Sequence, residues 1–348
     1  MSRSYGLFDR PEAWVAAFAE RLASYDKLVD SQRARLSQLE AERDAALEQF
    51  KRACVEEIKN ADALLFEVAP IAPHDVDAIP TRRAAYSDRT AALLAKLAML
   101  AYIDWDDNAK RAVLEGTLRR GRAVPFETVS AGGTDAVVAE TDKFVVVAFR
   151  GTSSRYDVLT DLNIFVQRVN VGERAVKVHR GFYDAFQNIE RQLRERLVAQ
   201  NPGLPIYLTG HSLGGALALV AAAAYGGTDE LGDRIAAVYT FGAPRVGGAD
   251  FPVIVKAPHY RVVNRGDVVP LVPPNWISGY RHTGMPILLK KDSDKPIRTR
   301  PWSSALLLVL GSLLLWPFVR RLRRRQAHEA SLYVARLERI ARYRGRWT

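Results

Sequence analysis

The 348 residues, 48% of them apolar, are enough to bury a full catalytic core and leave room for an additional module, and a single cysteine, Cys54, excludes an internal disulfide. The formal net charge of +11 is concentrated at one end: residues 296–348 hold twelve arginines, no lysine and two acids, Glu329 and Glu338. That tail has no nucleic-acid fold signature and adjoins the most apolar run of the chain, so no nucleic acid is expected, and a membrane surface with anionic headgroups is.

The first thirty residues include Asp9, Glu12 and Glu20 and lack an apolar run long enough for a signal-peptide core. The protein is therefore expected to have no signal peptide and to be cytoplasmic, peripheral or monotopic at a membrane. Residues 12–69 contain neither Gly nor Pro and are rich in Ala, Leu, Glu, Arg and Gln, which predicts an N-terminal helical region over 1–69. A heptad puts Leu22, Tyr25, Val29, Gln32, Leu36, Leu39, Arg43, Ala46, Phe50, Ala53 and Glu57 on one seam, and its polar members break it. A helix or helical hairpin packed on the rest of the protein is the plain reading, with self-association through these helices as the alternative.

Pro70, Pro73 and Pro80 mark a stiff linker over 70–84, since a helix does not cross them. After it, Ala85 to Tyr102 carries Leu93, Leu94, Leu97 and Leu100 on one helical face, led by Ser87 or Asp88 as N-cap. Strands are predicted at Val124 to Val129, Ala136 to Glu140 and Lys143 to Phe149, the last with a β-branched run that reads as buried on both faces. A helix from Asp184 to Ala199, a strand at Ile206 to Thr209, a helix at Leu213 to Tyr225 and strands at Ala236 to Phe241 and Tyr260 to Asn264 complete an alternation. Such an alternation makes an α/β fold with a mostly parallel sheet and helices on both faces.

The chemistry is concentrated at Gly210, His211, Ser212, Leu213 and Gly214, a G-x-S-x-G string entered from an apolar strand and left by an Ala/Leu helix. That is the setting of a nucleophile elbow, where a serine sits on a strained strand-to-helix turn. Five stretches taken together, FRGT (149–152), VHRGF (178–182), GHSLGGALA (210–218), YTFGAPRVG (239–247) and NRGDVVPLVPP (264–274), resemble the class 3, fungal-lipase-like lipases of the α/β-hydrolase superfamily. The resemblance covers residues 86–337 and leaves the N-terminal helices outside it. It implies one α/β-hydrolase domain over 85–348.

Within that resemblance Ser212 is the nucleophile and the oxyanion hole comes from the backbone of Leu213 and from Thr152. Chain order in this fold runs Ser, acid, His. Asp267 follows a β-branched strand in a Gly-Asp turn closed by Pro270, and it also matches the family's acid. Two histidines remain as the base: His328, followed by the aromatic Tyr333 and favoured by chain order and motif, and His282 in GYRHTG. No cofactor and no metal site are expected.

Between Trp302 and Val319 no residue is charged, and arginines flank both ends. Eighteen residues give about 27 Å of helix, marginal for a bilayer span, and a span would separate His328 from Ser212. A membrane-associating segment over 302–325 that leaves and returns on one side is the expectation, with a buried core helix as the alternative. Residues 153–169 stand where the family carries its lid; Val158, Leu159, Leu162 and Phe165 recur at helical spacing, which fits either a flap or a core helix. The expected activity is hydrolysis of acyl esters of lipids through an acyl-serine, with phospholipase A1 or monoacylglycerol lipase activity as alternatives and an inactive membrane tether as the reading from another class.

Overall fold

The computed structural model describes residues 18–38, 85–103, 126–151, 166–171, 174–226, 229–273, 279–290, 297–298 and 328–344, with isolated positions between 15 and 116 outside these ranges. It divides into two compact units, Met1–Lys59 and Asn60–Thr348. In the first, residues 18–38 form one helix. In the second, an eight-stranded sheet runs β1 (Phe126–Ala131), β2 (Thr134–Glu140), β3 (Val145–Phe149), β6 (Ile206–His211), β7 (Ile235–Phe241), β8 (His259–Asn264), β9 (Met285–Leu289) and β10 (Ile297–Arg298). The five strands from β3 to β9 in that order pair in parallel, while β1, β2 and β10 pair antiparallel at the two edges. Strands β4 (Val166–Val171) and β5 (Arg174–His179) form a separate hairpin.

Each central strand sends alternate side chains to two covered faces, which is why its sequence is apolar throughout. In β3 every residue is buried; Val145, Val147 and Phe149 point to one core and Val146 and Ala148 to the other. One core is closed by α2 (Arg180–Ala199) and α3 (Leu213–Tyr225) through Phe182, Phe186, Ile189, Leu193 and Leu217. The opposite core is closed by α1 (Asp88–Leu100) and the C-terminal helix, with Tyr207, Tyr239 and Phe241 beneath them. Short helices α4 (Asp229–Gly232) and α5 (Phe251–Ile254) bridge the strands, and the C-terminal helix, Ala330–Arg344, is α6.

Helix α1 begins as expected, with the Ser87 side chain accepting from the Thr90 amide. The sequence marks only one apolar face, yet nearly every residue of α1 is buried, because α6 packs over the side that faces away from the sheet. Lys96 is thereby enclosed, and its Nζ lies 2.7 Å from Glu338 Oε1, with side chains 6% and 18% exposed. Removing one partner of such a pair is costly because a desolvated charge loses its counter-charge. Glu338→Ala is expected to destabilise the domain by about 3 kcal/mol in thermal melts, whereas Lys96→Met combined with Glu338→Leu recovers most of that loss.

Helix α2 starts at Arg180 rather than Asp184: the cap is His179, whose ring nitrogen accepts from the Phe182 amide while its ring stacks on Phe182 at 4.0 Å. The sequence signal was missed because histidine is not among the usual capping residues. Strand β1, described from Phe126, runs two residues past the predicted end at Val129. Of the linker 70–84, Ile71, Val76 and Ile79 are described, and all three are buried in the core shared with α1. Residues 152–165 and 299–327 lie outside the described residues, so the flap helix and the membrane-associating segment are not seen; the end of the 153–169 stretch, from Val166, is strand β4. Among the described residues no helix is long and apolar enough to cross a membrane.

Candidate active site

The parallel strands deliver their C-terminal ends to one edge of the sheet, and the site assembles there. At the junction of β6 and α3, Ser212 takes φ 56° and ψ −125°, the one positive φ of a non-glycine among the described residues. The turn is this tight because strand and helix nearly touch: a Cβ on Gly214 would run into the Phe149 carbonyl of the neighbouring β3. Leu213 is the first residue of α3, so its amide is one of the helix's unpaired N-terminal N–H groups. Thr152 lies outside the described residues.

Ser212, His328 and Asp267 are brought into one line. His328 Nε2 is 2.9 Å from Ser212 Oγ, and His328 Nδ1 is 2.8 Å from Asp267 Oδ2. The side chains of the histidine and aspartate are 7% and 0% exposed. An ionised carboxylate only accepts, so Nδ1 carries the proton and Nε2 turns its lone pair to the serine hydroxyl. Asp267 sits just beyond β8, where its other oxygen accepts from the Val269 amide at 2.9 Å and so fixes the carboxylate plane. Gly242, at φ 61°, leaves the space this pair needs; a Cβ there would meet Asp267 Oδ2 and His328 Nδ1.

Three further residues, none assigned a role by sequence reasoning, hold the line in place. Tyr333, one turn into α6, donates to Asp267 Oδ2 at 2.6 Å and accepts from the Asn264 amide at 2.9 Å. Burial, reinforced by the Asp267 charge, pushes its phenol well above the usual range, so it remains a donor. His211 has Nε2 2.6 Å from the His328 carbonyl oxygen, which can only accept, so Nε2 donates. Its Nδ1 is 3.0 Å from the Tyr102 hydroxyl. Tyr333 was legible only as an aromatic after the histidine, and His211 only as part of the elbow; the partner of each is distant in sequence.

His282 is elsewhere. Its Nε2 donates to the Pro270 carbonyl at 2.7 Å, and burial together with Arg261 and Arg245 lowers its pKa well below the ordinary histidine value. The structure therefore joins His328, and not His282, to Ser212. The Pro270 turn is itself pinned: Arg245 donates to the Leu271 and Pro273 carbonyls.

Two other histidines set a pH dependence of stability. His259, between the hydroxyls of Thr240 and Thr283, is lowered to about 3, chiefly by burial and then by Arg261; His179 is lowered to about 4 by burial. Both bind fewer protons folded than unfolded below the ordinary value near 6.5, so unfolding is favoured as protons are added. Their contribution is complete above about pH 6.5 and falls progressively toward about 4 for His179 and about 3 for His259. Melting temperatures are expected to drop between pH 6.5 and 5, with a shallower drop in His259→Gln; an unchanged slope in that variant rules out His259 as a source.

A mixed sheet with a parallel centre, a serine elbow between its strand and helix, and acid and base at the same edge define an α/β-hydrolase. Comparison with known proteins narrows this. Residues 146–276 match the family model for Lipase (class 3). A lipase of Rhizomucor miehei is 34% identical over 174 residues, 47% of this chain and 47% of that protein. A secreted mono- and diacylglycerol lipase 1 of Fusarium solani is 36% identical over 159 residues, covering 43% and 46%. The solved Rhizomucor miehei triacylglyceride lipase superposes with a TM-score of 0.50 and 27% identity over 59% of this chain and 82% of that one. The chain thus spans about half the length of these curated relatives. The fold is that of the α/β-hydrolases, and within it residues 146–276 are similar to the class 3 lipases.

The expected cytoplasmic location is corrected by the same comparison, because matched relatives from Fusarium solani and Gibberella zeae are secreted by name. One unpaired cysteine and an undistinguished N-terminus are compatible with either compartment, and neither demands the cytosol.

Proposed function

We propose that this protein is a carboxylic ester hydrolase that cleaves acyl esters of lipids through an acyl-Ser212 intermediate. The observation that carries the reading is the buried hydrogen-bonded line from Ser212 through His328 to Asp267 at a serine elbow. In the first half-reaction Ser212 Oγ attacks the ester carbonyl as its proton passes to His328 Nε2. The carbonyl oxygen gains the negative charge opposite the Leu213 amide, with Thr152 assigned the second donation by its place in FRGT. Collapse expels the alcohol, which takes the proton from His328. Water then attacks the acyl carbonyl as its proton passes to the same nitrogen, and collapse releases the fatty acid while Ser212 Oγ takes that proton back. Asp267 stays ionised throughout and stabilises the imidazolium.

Acylglycerols are the substrate reading best supported, since the Fusarium relative is named for mono- and diacylglycerols; phospholipase A1 activity stands as the second reading. Action at a lipid surface fits residues 302–319, which are uncharged and flanked by arginines. Arg298 pairs with Ile287 in the sheet and His328 reaches Ser212, which supports a segment that leaves and returns on one side.

Labelling by a fluorophosphonate, paired with hydrolysis of emulsified mono-, di- and triacylglycerol and of phospholipid vesicles, tests the reading. Labelling confined to Ser212 with acylglycerol turnover supports it. A folded protein that neither labels nor hydrolyses any of these is a tether rather than an enzyme.

A further inference from the structure

The hydrolase chemistry makes no use of the N-terminal unit, whose described helix, residues 18–38, has large apolar side chains open to solvent. Val15, Phe18, Leu22, Tyr25, Val29 and Leu36 are 46–69% exposed. They follow one another at alternating spacings of three and four, with Gln32 filling the single polar place in the seam and Leu39 continuing it in the sequence. A stripe with a mean period of 3.5 residues is what two helices bury when they supercoil left-handedly. The interruptions at Arg43 and Glu57 come later in the chain.

Two properties of the helix distinguish among occupants for this stripe. Its outer face carries Ala16, Glu20, Ala23, Ser24, Lys27, Asp30, Ser31 and Ala34, small residues with charges of both signs, rather than the lysine- and arginine-rich face of a helix lying on anionic lipid. The positions flanking the seam are Arg21, Leu28 and Arg35 on one side and Asp26, Arg33 and Glu40 on the other. In a parallel, in-register pair each residue of the first set faces the residue five places later on the other helix. That sets Arg21 against Asp26 of the partner subunit and Arg35 against Glu40 of the partner subunit, two attractive pairs and no repulsive one. Running the helices antiparallel sets first-flank arginines against each other.

We propose that residues 15–39 form a parallel two-stranded coiled coil between two copies of this chain. A single helix of this length is marginal in water, and burying the seam supplies what it lacks. Gln32, the one polar seam residue, fixes the register at some cost in stability. The consequence is a bivalent enzyme: two lipid-directed tails on one dimer strengthen surface attachment by raising the effective concentration of the second once the first has bound.

Sedimentation equilibrium on the full-length chain tests this. The parent is expected to run as a dimer, and Leu22→Lys with Val29→Lys as a monomer whose turnover of a soluble short-chain ester is unchanged. Arg21→Glu is expected to weaken the dimer, and Arg21→Glu with Asp26→Arg to restore it. In a Cys54→Ser background, Leu22→Cys is expected to give an interchain disulfide on oxidation, as only a parallel in-register pair brings two copies of residue 22 together. A parent that is monomeric at every concentration, or a dimer that survives the double lysine variant, overturns the proposal. If the parent is monomeric and the lysine variant loses binding to anionic vesicles, the stripe is a lipid-facing surface instead.

Discussion

Ester turnover by the Ser212→Ala chain is expected to fall on the order of a millionfold, to the residual rate that binding and oxyanion stabilisation supply without a nucleophile. The size follows from how the three side chains act as one unit: without Oγ, His328 has no proton to accept and Asp267 no imidazolium to stabilise. The fold is expected to survive. Serine and alanine both carry a Cβ, so the strain of φ 56° is the same in either, and the elbow is shaped by the close approach at Gly210 and Gly214. The measurement is hydrolysis of an acylglycerol emulsion beside circular dichroism and a thermal melt. Turnover near the parent's in a folded variant would remove Ser212 from the role of nucleophile.

What the sequence made legible tracks how local the physics is. The strands Val145–Phe149 and Ile206–His211 were readable because a strand covered on both faces must be apolar along its length. The elbow was readable because its signal is local in the chain: an apolar strand, a short G-x-S-x-G string and an Ala/Leu helix follow one another, and Gly210 answers to Gly214 four residues on. The hairpin β4–β5, strand β9 and the edge strand β10 were not read: β10 is two residues long, and RAVKVH, with lysine and arginine among its valines, shows no continuous run. Helix α6 also escaped notice, since its only signal is an amphipathic pattern within an arginine-rich tail whose charge suggested headgroups instead. The structure seats Tyr333, Val334, Leu337 and Ile340 of that tail in the core, so part of the basic end belongs to the folded domain.

The base was the least decidable element for the same reason. His328 lies 61 residues beyond Asp267, and an uncharged, arginine-flanked stretch intervenes, so no local feature tells that the chain returns. The return is enforced at several points at once: Tyr333 reaches the Asn264 amide and Asp267, Arg336 Nη1 donates to Asn264 Oδ1 at 2.7 Å, and Glu338 pairs with Lys96. His282, fifteen residues from Asp267, looks the nearer candidate in sequence, but its ring proton is committed to the Pro270 carbonyl.

Removing each histidine is therefore expected to give opposite outcomes. His328→Ala should lower kcat at least about a thousandfold with little change in KM, because it deletes the group that takes and returns the serine proton while leaving the acyl-binding surface alone. His282→Ala removes one hydrogen bond that steadies the turn after Asp267, a neutral interaction worth about 1 kcal/mol, so a rate loss of about tenfold or less is expected. Its pKa, depressed by burial and two arginines, gives it no titration near neutrality, so the pH profile of the His282→Ala enzyme should overlay that of the parent. Steady-state kinetics on a soluble ester across the pH range decide between them. If His282→Ala is the variant that loses the acid limb and His328→Ala retains it, the base has been assigned to the wrong histidine, and the contact between His328 and Ser212 has another purpose.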